Sequence, residues 1–269
     1  MPHCWRISKY SLDTTSARLS IEYQQSNPTS NLPVVLQQCF PGLHVSLIRT
    51  PWLTVSPTEE YSLQGKIPSG SVMGEVLDLL SECISVCDCC DCSHCLDRYR
   101  IPDEATDPER WPHTPIGILA LHAKYRNDLM ASRRLQSLIV RFVNRHPALL
   151  SAEAVCPMPR SSSSDGINVP LTCAEGVAKS LGIPLLAMQR TRATRPQKDI
   201  ESREEREANQ RESMSADASA SGTRVLVIDD LYMDGATMAE ACRALKAVGA
   251  TRVFGLCAAK TPRGMSGGF

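Results

Sequence analysis

The stretch Arg224-Val-Leu-Val-Ile-Asp-Asp-Leu-Tyr-Met-Asp-Gly-Ala-Thr237 decides how the rest of the chain reads. Four apolar residues, Val225 to Ile228, predict a central strand, and two adjacent carboxylates, Asp229 and Asp230, close it. A short loop with Gly235 follows, and Thr237 to Val248 predicts a helix that stops at Gly249. Ligands of open α/β sheets settle at the carboxyl ends of strands. The unsatisfied N–H groups and the dipole of a helix N-terminus favour a phosphate there. Gly235 lets the backbone approach an anion and Thr237 adds a hydroxyl donor. The acid pair suits vicinal hydroxyls or Mg2+ held through water. A phosphate beside a diol outlines a ribose 5-phosphate; the bland alternative is an Asp pair that merely ends a strand.

The flanking sequence repeats the strand–helix grammar. Ala152–Cys156 predicts a strand running into Pro157-Met158-Pro159-Arg160, and Val169–Leu181 a helix ended by Gly182. Ile183–Met188 and Val253–Cys257 predict two more strands. The expected fold class is α/β, a mostly parallel sheet flanked by helices. Residues 190–222 are polar, with eight of twelve residues charged from Glu201 to Glu212, which predicts a lid or a disordered loop. Ile116–Val143 predicts a helix. Lys124, Arg126, Arg133, Arg134, Arg141 and Arg145 face one acid there, Asp128. That basic face could track nucleic acid over 124–145 or simply be solvated. Residues 1–80, rich in Ser, Thr, Pro and Gln, predict short strands and turns, including Val34-Val35-Leu36 and Val45–Ile48, or a loosely ordered region. The expected division is 1–80 unclassified, 81–100 a cysteine-rich knot, and 116–269 one domain with a basic helix at 116–146 and a core at 151–260.

Ile228–Thr237 resembles the phosphoribosyl pyrophosphate (PRPP) signature of type I phosphoribosyltransferases, two acids followed by Thr-Gly-x-Thr or Ser-Gly-x-Thr. Within that superfamily the chain resembles the ComF family of competence-related proteins. The likeness rests on Leu119-Ala-Leu-His-Ala-Lys-Tyr125, Cys156-Pro-Met-Pro159, Gln197 with Arg206-x-x-Asn209, and a cysteine block where ComF-like proteins carry a zinc finger; it spans about residues 83–262. The resemblance implies Mg2+-PRPP bound by Met233, Asp234, Gly235, Ala236 and Thr237, with Asp229 and Asp230 as the catalytic acids. It puts Arg160 near the pyrophosphate and makes 190–222 a hood, where Arg195 and Lys198 either meet phosphates or stay solvated. Tyr232 would pack against a base or within the protein. The implied reaction displaces pyrophosphate from C1 by an unidentified nitrogen nucleophile. One departure stands out: Asp234 replaces the usual Thr or Ser, and a carboxylate beside a phosphate is repulsive unless it turns away or meets a cation.

Six of the twelve cysteines fall between Cys83 and Cys95. Cys87-x2-Cys90 and Cys92-x2-Cys95 give two pairs suited to a structural Zn2+, with Cys83, Cys89 and His94 as alternates. Cys89-x2-Cys92-x2-Cys95 also matches part of an iron–sulfur run. A dense block in a chain this long points to metal rather than to a secreted disulfide scaffold.

The 29 basic and 29 acidic residues balance, so no global charge favours nucleic acid or an anionic membrane. No apolar run is long enough to span a membrane and the N-terminus lacks a signal-peptide core, which predicts a cytoplasmic protein. Three function classes remain: a phosphoribosyltransferase, a PRPP-binding regulator without turnover, and a nucleic-acid-handling accessory protein. The sequence leaves the oligomeric state open.

Overall fold

The computed structural model describes residues 3–24, 30–49, 58–103, 105–107, 110–160, 166–195, 200 and 202–261. The first third runs β1 (His3–Trp5), β2 (Ile7–Asp13), β3 (Arg18–Tyr23), α1 (Leu32–Cys39), β4 (Leu43–Arg49), β5 (Thr58–Gly65) and α2 (Gly70–Glu82). β6 (Ile84–Cys87) and β7 (Cys92–Arg98) follow, then α3 (Pro115–Tyr125), α4 (Leu129–Arg145) and α5 (Pro147–Leu150). The last third is β8 (Ala154–Pro157), α6 (Val169–Leu181), β9 (Met188–Arg190), α7 (Arg203–Gln210), β10 (Met214–Ala216), β11 (Arg224–Tyr232), α8 (Ala236–Ala247) and β12 (Arg252–Lys260).

The central sheet has the order β1-β6-β7-β12-β11-β8. β7, β12, β11 and β8 are mutually parallel, and β6 and β1 add antiparallel pairs at one side. This is the expected α/β architecture, a mostly parallel sheet flanked by helices. Residues of β11 alternate between its two faces. Leu226 and Ile228 join a core with α1, α3, α4 and α6, whereas Val225 and Val227 join a second core with α8. Both cores must be filled for the sheet to be dry, and that is why the strand reads as a continuous apolar run.

Local chemistry sets the helix ends. Asn168 caps α6 by accepting the Leu171 N–H, and Gly182, at φ 66°, closes it in the left-handed region. The expected single helix over Ile116–Val143 is two. Asn127 adopts φ 50° and Asp128 starts α4 by accepting the N–H groups of Met130 and Ala131. Val34-Val35-Leu36, expected in a strand or turn, lies in α1, where Pro33 occupies the first turn. Val45–Ile48 lies in β4, part of an antiparallel sheet of order β2-β3-β5-β4. The strand expected at Ile183–Met188 is also displaced. Only a bridge from Leu185 to Val155 forms at the sheet edge, and the strand proper, β9, pairs with β10 in a separate ribbon. The polar segment 190–222 therefore carries its own secondary structure, including α7, which Ser202 caps.

One close approach tests this packing. A Cβ on Gly117, in the first turn of α3, would stand 1.9 Å from the Tyr99 carbonyl oxygen, which is backbone and cannot rotate away. Gly117→Ala is expected to destabilise by about 1–3 kcal/mol. Thermal melts would show a fall of about 2–4 °C per kcal/mol in a chain of this size.

Candidate functional site

β11 is paired on both edges through Ile228 and on one edge beyond it, where its partner is β12 alone. Asp229 and Asp230 follow that point, at the mouth of a cavity of about 490 Å3, a size typical of small-ligand sites. The Asp229 carboxylate accepts the Asp230 N–H at 2.8 Å, and Asp230 accepts the Leu231 N–H at 2.7 Å. Lys124, at the end of α3, brings its Nζ to 2.9 Å from Asp230. Burial first, then the charge of Asp230, pushes the Asp229 pKa up to about 7, against the opposing charges of Lys124 and Arg190.

The loop after β11 closes the same cavity with Met233, Asp234, Gly235 and Thr237. Gly235, at φ 91°, turns the chain into α8, a conformation that most side chains would strain. Ala236 is buried and its N–H donates to Asp234 Oδ1 at 3.1 Å. Asp234 therefore places a carboxylate on an amide at the helix N-terminus, and it meets a cation. Arg206 of α7 lies 3.1 Å from Asp234 Oδ2 and also donates to the Ile200 carbonyl. The charge that looked repulsive in the sequence is neutralised by Arg206 of α7. Lys260 braces the loop from below by donating to the Met233 carbonyl at 2.6 Å.

Arg160 and Arg190 supply cations on the opposite wall, joined there by Arg195 and Gln210. Arg160 donates to the Gly166 carbonyl, and Arg190 Nε donates to the Arg160 carbonyl at 2.8 Å. Asn209 holds Arg195 by bonding both its backbone N–H and its carbonyl. Gln197 and Lys198 lie outside the described residues. Arg190 and Lys124 as site residues were missed in the sequence. Arg190 follows a strand that was placed too early, and Lys124 was read as one of a basic series. Of that series Arg145 pairs with Glu82 at 2.7 Å, while Arg133, Arg134 and Arg141 are exposed on α4. Tyr232 is only 3% exposed and donates to Asp88 Oδ2 at 3.0 Å, so its hydroxyl is used within the protein.

The cysteine-rich stretch forms the β6–β7 hairpin of the central sheet, and strand alternation separates its thiols. Cys92 and Cys95 are three residues apart on β7 and point to opposite faces, Cys92 into the α1/α4 core and Cys95 toward Cys257 in the α8 core. Cys87 packs on the first face and Cys90 on the second. The expected quartet Cys87, Cys90, Cys92 and Cys95 is thus not brought together, because a strand cannot turn i and i+3 to one side. Two other groups have ligand atoms within 4.8 Å of one another: Cys89, Cys90 and Cys242, and Cys92, His94 and His146. These Cys and His groups could hold a metal. Burial holds His94 well below the ordinary histidine range and His146 down to about 4, leaving both imidazoles neutral at physiological pH. No disulfide joins any of the twelve cysteines. Among the described residues no helix is long and apolar enough to cross a membrane.

Comparison with known proteins points to the same segment. The family model of the phosphoribosyl transferase domain matches residues 171–264, about a third of the chain. No curated protein matches the sequence. Among solved structures, phosphoribosylpyrophosphate synthetase from Mycobacterium smegmatis is 22% identical over 47% of this chain and 33% of its own, with a TM-score of 0.31. The purine phosphoribosyltransferase of Pyrococcus horikoshii Ot3 is 16% identical over 48% of this chain and 73% of its own, at TM-score 0.33. Adenine phosphoribosyltransferase from Leishmania donovani is 14% identical over 52% and 68%, at TM-score 0.35. The chain thus spans about a third of the length of the synthetase that it matches.

The raised pKa of Asp229 gives a pH-dependent test. Its protonated form is favoured by the fold, so the stability it contributes is complete below about pH 4 and is lost as pH rises through about 7. Asp229→Asn keeps the acceptor for the Asp230 N–H and removes the buried charge. Its melting temperature is expected to match wild type at about pH 4, to pull ahead as pH rises, and to exceed it by a few degrees, about 2–4 °C per kcal/mol, at pH 8. A constant offset across that range would contradict the buried-charge assignment.

Proposed function

We propose that the chain is a ComF-like phosphoribosyltransferase that binds Mg2+-PRPP and transfers its phosphoribosyl group to a nitrogen nucleophile, releasing pyrophosphate. The observation that carries this reading is the convergence on one cavity of an acid pair, a Gly loop opening a helix, and arginines from two further segments. In this reading Asp229 and Asp230 accept the ribose hydroxyls and act as the catalytic acids. The backbone of Met233–Thr237, with the Thr237 hydroxyl, takes the 5-phosphate. Arg160 and Arg190 face the pyrophosphate. These groups fit a magnesium-bound polyphosphate, because hard carboxylate oxygens and guanidinium donors line the same space. Mg2+ would arrive with PRPP, held on the protein side by Asp229 and Asp230, and neutralise part of the pyrophosphate charge.

The remaining work falls to positioning and charge. The protein holds C1 in line with its nucleophile and surrounds the leaving group with fixed cations. The hood, with β9, α7 and β10, would close over the reacting carbon and exclude water, and the Arg206–Asp234 pair would join it to the loop when closed. The second cofactor of this reading is a structural Zn2+ held by side chains of the cysteine-rich hairpin. We place the protein in the cytoplasm, where its thiols stay reduced. The division proposed for the chain keeps 116–269 as the phosphoribosyltransferase-like unit.

Titration calorimetry with Mg2+-PRPP should give heat for wild type, and the double variant Asp229→Asn/Asp230→Asn should bind at least about 100-fold more weakly. Equal binding by the two proteins, or none by either, would remove this site assignment. Pyrophosphate release in an acceptor screen separates a transferase from a regulator without turnover. Asp234→Ser removes a carboxylate from the phosphate loop and frees Arg206, so PRPP affinity is expected to rise by about 3–10-fold. A loss of affinity would show instead that the Arg206–Asp234 pair builds the site.

A further inference from the structure

α3 can lie close to the sheet because the face it buries is made of small residues. Gly117, Ala120 and Ala123 recur every three positions and are buried, and Gly117 packs directly on the Tyr99 backbone. That close approach brings the last turn of α3 to the carboxyl end of β11, where Lys124 reaches Asp230. Lys124 Nζ lies 2.9 Å from each oxygen of the Asp230 carboxylate. Oδ1 also accepts the Leu231 N–H at 2.7 Å. A carboxylate has about four acceptor sites, so an ammonium lying across both oxygens competes directly with a vicinal diol. Asp230 is one of the two acids to which the proposed function gives the ribose hydroxyls.

Two features make this pair exchangeable rather than a fixed brace. The Lys124 side chain is 37% exposed against 11% for Asp230, whereas the Arg206–Asp234 pair is sealed on both sides, at 11% and 16%. An ion pair with one well-solvated partner is weak. A lysine also carries its charge as a point on a flexible stem, so it can re-aim without the fork geometry that a guanidinium needs. The second feature is where it can turn. Asn127, just past α3, accepts the Ile167 N–H at 3.1 Å, and the neighbouring Gly166 carbonyl accepts from Arg160. The end of α3 is thereby joined to the segment that Arg160 holds, and Lys124 and Arg160 line the same cavity.

We infer that Lys124 covers the ribose seat on Asp230 and, when vicinal hydroxyls take that carboxylate, turns to the pyrophosphate as a further ligand beside Arg160. The inference rests on the PRPP reading of this cavity and adds a coupling between its two halves. The exchange keeps every group partnered. Asp230 trades an ammonium for hydroxyl donors, and Lys124 trades one carboxylate for a group with several negative oxygens, a stronger partner for a cation. A ligand with the diol alone displaces Lys124 and gives it nothing in return. A ligand with pyrophosphate alone draws Lys124 away and strips Asp230 of its cation. Only a molecule carrying both satisfies the site, so Lys124 selects a pyrophosphorylated ribose over either fragment.

The test is calorimetry on the full chain with three probes, each with Mg2+: ribose 5-phosphate, inorganic pyrophosphate and PRPP. Lys124→Met is expected to weaken pyrophosphate and PRPP by about 10–100-fold, the worth of a charge-assisted bond. It should bind ribose 5-phosphate as tightly as wild type, or more tightly. Ribose 5-phosphate weakened as much as PRPP would make Lys124 a fixed brace of Asp230 and overturn the exchange; unchanged affinity for all three would overturn it as well. If Lys124→Met does not fold, acylation of lysine amines in the wild-type chain, read by mass spectrometry, decides. Modification of Lys124 should rise with ribose 5-phosphate and fall with PRPP, and any other pattern overturns the exchange. Wild type that gives no heat with PRPP removes the transferase reading and this inference together. Wild type that binds PRPP while Lys124→Met binds it equally well removes the inference alone.

Discussion

Everything at the candidate site depends on where β11 loses one of its neighbours. Up to Ile228 the strand is held on both edges, and its last bond on the β8 side is donated by Met158 to the Ile228 carbonyl at 2.8 Å. From Asp229 to Tyr232 only β12 holds it. That four-residue overhang of β11 past its β8 pairing, Asp229 to Tyr232, opens a crevice at the carboxyl end of the sheet, and the acids stand at its lip. A shorter β11 would leave Asp229 and Asp230 on a mobile loop, and a longer β8 would cover them. The register of two parallel pairings, which no residue of the site itself determines, sets the position of the chemistry.

Charge is then distributed unevenly over the carboxylates at this lip. Asp230 has Lys124, Asp234 has Arg206, and Asp229 is left with burial and a neighbouring acid, which is why its proton is held to a higher pH than usual. The two cations come from different helices, Lys124 from α3 and Arg206 from α7. The site is therefore an assembly point for segments far apart in the chain, and α7 is anchored through the same loop that opens α8.

The parts of this arrangement legible in the sequence were those with unambiguous local signals. Val225–Ile228 is apolar at every position because both faces of the strand are covered, and Gly182 and Gly249 close their helices at φ 66° and 95°. The illegible parts were those where tertiary contacts overrule local preference. Val34 and Val35 favour strands, yet the apolar spacing of Leu32, Val35, Leu36 and Cys39 buries one face of a helix. The charged run of α7 resembles a solvated loop because its partner, Asp234, is 28 residues away. The cysteine block was read for ligand spacing when its strand periodicity carried the information: buried cysteine behaves as a small apolar residue.

The sheet order has a consequence for how such a chain can be divided. Residues 171–264, the part with a recognisable family signature, contain β11 and β12 but not the strands on either side of them. β12 is covered by β7, and β7 by β6 and β1. If the first hundred residues were removed, β12 would become a nine-residue edge with seven consecutive buried positions, from Val253 to Ala259, laid open along one side. Edges of that kind recruit other strands. The signature-bearing segment is thus the centre of a sheet rather than a portable module, and any shorter relative built on it would need a different cover for that edge.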